Sequence, residues 1–273
     1  MRPSTVRSCW SQNRCAFGVA TLCSDPAVAE MLSLMGFDFL WIDLEHSWRS
    51  LETAGALMRA SRVGSADVLA RPAKGELLRL GRMLEAGATG IMYPRCDHAD
   101  EAAEVVRWMK FPPQGQRGLD GAGADRPYGA IDIAPYAHQA NQTTWLLVQI
   151  EDPAALEHVE AMARVPGVDG IFFGPGDFSM HVGIPGQFDH PLIKNAARRV
   201  AKAATSAGKV WGMPALSPEL ARTWLEWDAK LLVYGTDLMV VKEGFETIQQ
   251  QFAALGFLFK NRLIPDAVPV RHV

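Results

Sequence analysis

Cysteine is scarce: four residues in 273, at positions 9, 15, 23 and 96, with no two in a C-x-x-C spacing. This excludes a disulfide-stapled framework or a zinc knuckle and reads as reduced thiols in a cytoplasmic protein. Long apolar runs are also missing, and none approaches the ~18 residues of a membrane-spanning helix. Near the N-terminus, Arg2, Arg7 and Arg14 precede an apolar stretch from Ala16 to Cys23 that stops at Asp25-Pro26, too short for a secretory signal. Residues 1–15 are therefore expected to form a flexible arm. Neither charge dominates: Lys and Arg number 27, Asp and Glu 30, for a net charge of −3. Nucleic acid and anionic membranes are not indicated as partners, which leaves small metabolites. A P-loop and a Rossmann glycine pattern are absent, as is any linker that would divide the chain into domains.

What is present is a succession of short runs rich in aliphatic and β-branched residues: 16–21, 37–45, 67–72, 90–95, 145–151, 170–177, 209–215 and 231–237. Helical periodicity separates most of them, and several of those segments end in glycine (Gly36, Gly87, Gly208), as a left-handed cap before a strand requires. Eight strand–helix units, with strands apolar on both faces, predict a single (β/α)8 TIM barrel over 16–260 and a tail over 261–273. A Gly- and Pro-rich stretch beginning FPPQGQRG at Phe111 fits no regular element; it suits a lid over the site or a plain connector.

Chemistry in such a barrel gathers at the C-terminal ends of the strands. There the sequence places Asp43, Glu45 and His46 after strand two and Arg71 after strand three. Gln149 and Glu151 follow strand five, and Gly174-Pro175-Gly176-Asp177 follows strand six. Glu151 and Asp177 lie 26 residues apart, one βα unit, so both carboxylates share a rim suited to a divalent cation. A carboxylate beside His46 can orient its imidazole for acid–base work. Arg71 can be fixed by Asp43 or Glu45 while presenting its other donors to a substrate oxygen. The Gly-Pro-Gly turn lets backbone amides approach a ligand carboxylate. Lysine is lacking where an imine-forming aldolase needs one, since Lys209 and Lys230 precede strands and Lys74 lies beyond Arg71. Phe178, Met180, Trp211, Met213 and Leu216 fit either an apolar wall of the site or ordinary barrel packing.

In order and spacing, GFDFLWIDLEHS, ARP, GATGIMYPR, PPQGQRG, QIEDP and FFGPGDFS resemble the metal-dependent (class II) pyruvate aldolases of the HpcH/HpaI type, over about residues 16 to 245. The resemblance implies a barrel whose last helix exchanges with a neighbouring subunit, in a homo-oligomer built as a hexamer of three dimers. It implies metal ligation by Glu151 and Asp177 with Mg²⁺, Mn²⁺ or Co²⁺, an acid–base pair of His46 and Asp43, Arg71 on the pyruvyl oxygen, and Gln149 as a substrate contact. The amides of Gly176 and Asp177 would hold the substrate carboxylate. Glu85 stands where many members carry an Asp reaching a neighbour's site, strand one lacks a tryptophan often found there, and Gly176 replaces a usual alanine. The expected reaction is reversible cleavage of a 4-hydroxy-2-oxoacid to pyruvate and an aldehyde. An acyl-CoA lyase of the citryl or malyl kind and a non-catalytic oxoacid-binding barrel are the alternatives.

Overall fold

The computed structural model describes residues 2–263. Eight parallel strands close a barrel in sequence order. They are β1 (Ala16–Thr21), β2 (Phe39–Asp43), β3 (Asp67–Arg71), β4 (Gly90–Tyr93), β5 (Trp145–Ile150), β6 (Gly170–Phe173), β7 (Val210–Pro214) and β8 (Leu231–Thr236). Among the described residues, twelve α-helices accompany them: α1 (Thr5–Ser11), α2 (Pro26–Leu34), α3 (Leu51–Ala60), α4 (Leu77–Ala86), α5 (Ala99–Met109), α6 (Ile133–Thr143), α7 (Pro153–Leu156), α8 (Val159–Ala163), α9 (Pro175–His181), α10 (Pro191–Ser206), α11 (Pro218–Glu226) and α12 (Asp237–Ala253). The expected TIM barrel is thus the observed fold, and each predicted strand appears within a few residues of its expected bounds.

Local chemistry sets the joints. Asp25, Ser50, Asp152, Ser217 and Thr236 accept amide hydrogens as N-caps, and Pro occupies the first turn of α2, α7, α9, α10 and α11, where its missing N–H costs nothing. Gly36, Gly87 and Gly208 take positive φ after α2, α4 and α10, as their predicted cap role demands.

Two apolar layers hold the barrel. The outer one lies between strands and helices; the inner one stacks Phe39, Leu69, Trp145, Leu147, Phe172 and Leu231 inside the barrel. Helix α1 closes this inner layer from below: Val6 and Cys9 are fully buried, and Trp10 meets Trp145 edge-on at 5.3 Å. The expected flexible arm is therefore corrected over Thr5–Ser11. Three residues of a short polar segment face the barrel floor, and Asp67 accepts from the Ser4 hydroxyl and the Val6 amide.

The segment after α5 is irregular as expected, but α6, unread in the sequence, follows it. Since α5 runs back from the strand ends, the segment lies at the opposite end of the barrel from them. There Ala124 bonds the Glu85 carbonyl, and Arg117 pairs with Asp125 at 2.8 Å in a buried contact. None of its residues lines the site cavity, which argues against a lid over this chain's own site. From residue 264 onward, the expected tail lies outside the described residues. No helix among the described residues is long and apolar enough to cross a membrane.

Candidate active site

At the C-terminal ends of the strands, a cavity of about 300 Å³ is lined by His46, Arg71, Gln149, Glu151 and the turn Gly174–Asp177 on one side. The pattern follows from strand parity. Phe39, Trp41 and Asp43 share the inward face of β2, as Leu69 and Arg71 do on β3 and Leu147 and Gln149 on β5, so the apolar inner layer gives way to a polar one.

Arg71 organises that layer. Its Nε donates to Asp43 Oδ1 at 2.9 Å and its Nη2 to Asp43 Oδ2 at 2.6 Å, a fork-to-carboxylate pair. Nη1 donates to Gln149 Oε1 at 3.3 Å and lies 3.3 Å from Glu45 Oε2, while the guanidinium rests 4.6 Å from the Trp41 ring centroid. Burial works against the charged forms of both Arg71 and Asp43, yet their pairing prevails: Asp43 is held below the ordinary carboxylate range and Arg71 above its own.

Gln149 passes the contact on, its Nε2 donating to Glu151 Oε1 at 2.6 Å, and the Arg95 amide donates to Glu151 Oε2 at 3.1 Å. Burial, opposed by Arg71 and reinforced by Glu45 and Asp177, pushes the Glu151 carboxyl up to about 7. Gly174 makes this cradle possible. A Cβ there would stand 2.6 Å from Glu151 Oε1 and 2.8 Å from Gln149 Nε2, so no larger residue fits without moving the carboxylate.

Glu151 and Asp177 are hard oxygen donors on one rim, and Glu151 is buried and crowded by like charge, a state that a cation relieves. Glu45 Oε2 is also buried without a hydrogen bond. Among the described residues no third Asp, Glu, His or Cys converges on the pair, so water and substrate oxygens would complete the shell. The residues fit a cation.

One expected role finds different geometry. Asp43 reaches His46 only through the backbone, accepting its amide at 3.4 Å, because both carboxylate oxygens are engaged by Arg71; the His46 ring lies instead 3.7 Å from Glu45 Oε2. Glu85 sits in the last turn of α4, outside this chain's cavity. Burial raises its carboxyl, Arg117 opposes, and Asp120 and Asp125 add to the rise. Asp237, at the start of α12, accepts the amides of Leu22 and Cys23.

Trp41, Phe188, Leu220 and Trp224 also line the cavity and were not singled out in the sequence. Parity with Asp43 marks Trp41. Phe188 lies in a loop and Leu220 and Trp224 on α11, where nothing local marks a residue that bends over the mouth. Of the suggested apolar wall, Met213 and Leu216 line the cavity. Trp211 and Phe178 are buried in the outer core, and Met180 is exposed.

Comparison with known proteins agrees with this architecture. Residues 18–243 match the family described as HpcH/HpaI aldolase/citrate lyase. A 2-keto-3-deoxy-L-rhamnonate aldolase of Salmonella paratyphi B is 33% identical over 230 residues, 84% of this chain and 85% of that one. An HpcH/HpaI aldolase/citrate lyase family protein from Burkholderia cenocepacia superposes with a TM-score of 0.85 at 27% identity, covering 92% of this chain and 99% of that one. An HpcH/HpaI aldolase from Desulfitobacterium hafniense gives 0.83 at 25% identity, covering 96% and 98%. The chain belongs to the HpcH/HpaI aldolase/citrate lyase family and is a carbon–carbon lyase.

Proposed function

We propose that this enzyme cleaves 4-hydroxy-2-oxoacids reversibly to pyruvate, or a close 2-oxoacid, and an aldehyde, using a divalent cation held by Glu151 and Asp177. One observation carries the reading: Glu151, Asp177, Arg71 and His46, contributed by four strand ends, line a single cavity. The kinship with a deoxy-sugar-acid aldolase supports the same reaction class.

When bound, the cation supplies electrophilic stabilisation for negative charge developing on the 2-oxo oxygen. Mg²⁺, Mn²⁺ and Co²⁺ all suit two carboxylates plus water. The chain's own groups do the rest. First-turn amides of α9, at Gly176 and Asp177, have no intrahelical acceptor and suit the substrate carboxylate. Arg71, held rigid by Asp43, offers Nη1 to the 2-oxo oxygen, and Gln149 keeps Glu151 in place. His46, the most exposed of the polar groups, takes the proton of the 4-hydroxyl as the C3–C4 bond breaks, directly or through water. Glu45 is the carboxylate facing its ring, and Asp43 acts on it only through the loop backbone. Protonation at C3 then gives pyruvate.

We further propose assembly as a homo-oligomer through α12, in which a neighbour covers its apolar face; a hexamer of three dimers is the expected form. Glu85, which does not line its own chain's cavity, serves a neighbouring site in that assembly. An acyl-CoA lyase would call for a basic groove at the mouth, but the two basic side chains of the lining, Arg71 and His46, sit among the catalytic groups.

The direct test follows exchange of pyruvate methyl protons in D₂O. Exchange should vanish in EDTA and return with Mn²⁺ or Mg²⁺. Undiminished exchange in EDTA would sink the metal role, and borohydride trapping of pyruvate would point to an imine instead.

A further inference from the structure

The cavity has two unlike walls. Its polar wall, from β2, β3, β5 and β6, accounts for the carboxylate, the 2-oxo group and the proton at the 4-hydroxyl. The opposite wall is built from the loop after α9, the end of β7 and the first turns of α11: Phe188, Met213, Pro214, Leu216, Leu220 and Trp224. It carries no carboxylate, amide or hydroxyl side chain. Its one strong side-chain donor, the Trp224 indole N–H, is buried without a partner. Once the pyruvyl half is seated, this wall is what the chain's own residues offer the remainder of the substrate.

We infer that the aldehyde half of the substrate is apolar, an alkyl or aryl aldehyde without hydroxyls beside the carbonyl. The inference rests on the pyruvyl-site reading above and specifies its second substrate. A polyhydroxylated aldehyde would lose hydrogen bonds to water here and find no side-chain acceptor on this wall in return, whereas an alkyl or aryl chain replaces water against carbon. The chemistry is unchanged by this choice. In the addition direction, C3 of the pyruvate enolate forms a bond to the aldehyde carbon, the C=O π pair moves to the aldehyde oxygen, and that oxygen takes one proton to become the 4-hydroxyl. No oxidant or reductant is consumed. The walls thereby assign selection of the donor to the β3–β5–β6 side and selection of the acceptor to the β7–α11 side.

The test measures kcat/KM of the Mn²⁺-loaded enzyme for aldehydes at saturating pyruvate. Hexanal or benzaldehyde should exceed glyceraldehyde and lactaldehyde by about tenfold or more, within the range a pocket achieves by apolar contacts. From propanal to pentanal each methylene should raise kcat/KM about fourfold, the transfer value of a buried CH₂. Leu216→Asn should narrow the hexanal-to-glyceraldehyde ratio, and Phe188→Ala does the same from a different element should the first variant fold poorly. A flat series, a preference for glyceraldehyde, or an unchanged ratio in both variants overturns the inference. Pyruvate methyl exchange, run beside it, separates the failures: exchange without aldehyde preference removes only the acceptor inference, and loss of exchange removes the pyruvyl-site reading beneath it.

Discussion

Arg71 meets Asp43 through two parallel hydrogen bonds and still has Nη1 facing Gln149 and Glu45. A lysine could keep the charge but not the fork, so Arg71→Lys separates charge from geometry. The variant should fold, because Asp43 keeps a cation, yet kcat should fall by about 10²–10³, the usual cost of one oxyanion donor. Steady-state turnover with circular dichroism as the folding check decides it, and near-normal kcat removes Arg71 from the transition state. Glu151 offers a pH test in the metal-free protein. Folded, it keeps its proton up to about pH 7, whereas an unfolded glutamate releases it near 4.5. The folded state therefore binds more protons across that window, and the unfolding free energy falls as pH rises through it, by up to ~3 kcal/mol, then levels. The thermal midpoint of EDTA-treated wild type should drop relative to Glu151→Gln between pH 5 and pH 8, and saturating Mn²⁺ should restore it at pH 8. Parallel midpoints across that range would refute the crowding of Glu151.

At the scale of elements, α1 earns its place by closing the barrel floor. Arg7 donates to the carbonyls of Thr143 and Thr144, Trp10 to that of Lys230, and Ser4 to the buried Asp67. Deleting residues 2–12 would uncover Trp145 and strand the Asp67 carboxylate, already raised by burial, without its partners. A loss of about 3–5 kcal/mol is expected, or roughly 10 °C in thermal midpoint. Pyruvate exchange at low temperature should persist, since the rim lies at the other end. An unchanged midpoint would show that the floor closes without α1. The strands were legible in the sequence because burial on both faces makes them continuous apolar runs. Helix α1 was not, for four of its seven residues are polar, and Val6 and Cys9 become buried only by docking. The segment 155–165 reads as one helix but breaks between α7 and α8 at Glu157 and His158. In the site, spacing alone brought Glu151 and Asp177 together. Parity put Asp43 and Glu45 on one face but could not choose which carboxylate pairs with Arg71 and which faces His46. That choice depends on where the loop after β2 carries the histidine, a tertiary fact.

For the molecule as a whole, the barrel's helical ring has a gap. Helix α12 leaves β8 with Asp237 as its one buried residue, while Leu238, Val240, Phe245, Ile248 and Phe252 remain exposed. Correspondingly, Phe17 on the outer face of β1, where a last helix would pack, is 39% exposed and has Phe37 stacked beside it. Apolar area of this extent on a helix and on the strand it fails to cover calls for mutual burial. A second copy can supply it by laying its α12 where this chain's own does not lie, as the proposed subunit exchange requires. Sedimentation velocity should then give an oligomer in dilute solution. The pair Phe245→Asp and Phe252→Asp, which touches no group of the active site, should shift it towards monomer and lower the thermal midpoint. If Glu85 serves a neighbouring site, the same pair should also reduce kcat/KM for the aldehyde more than it slows pyruvate methyl exchange. A wild-type monomer would leave the gap in the ring unexplained and would reject the exchange.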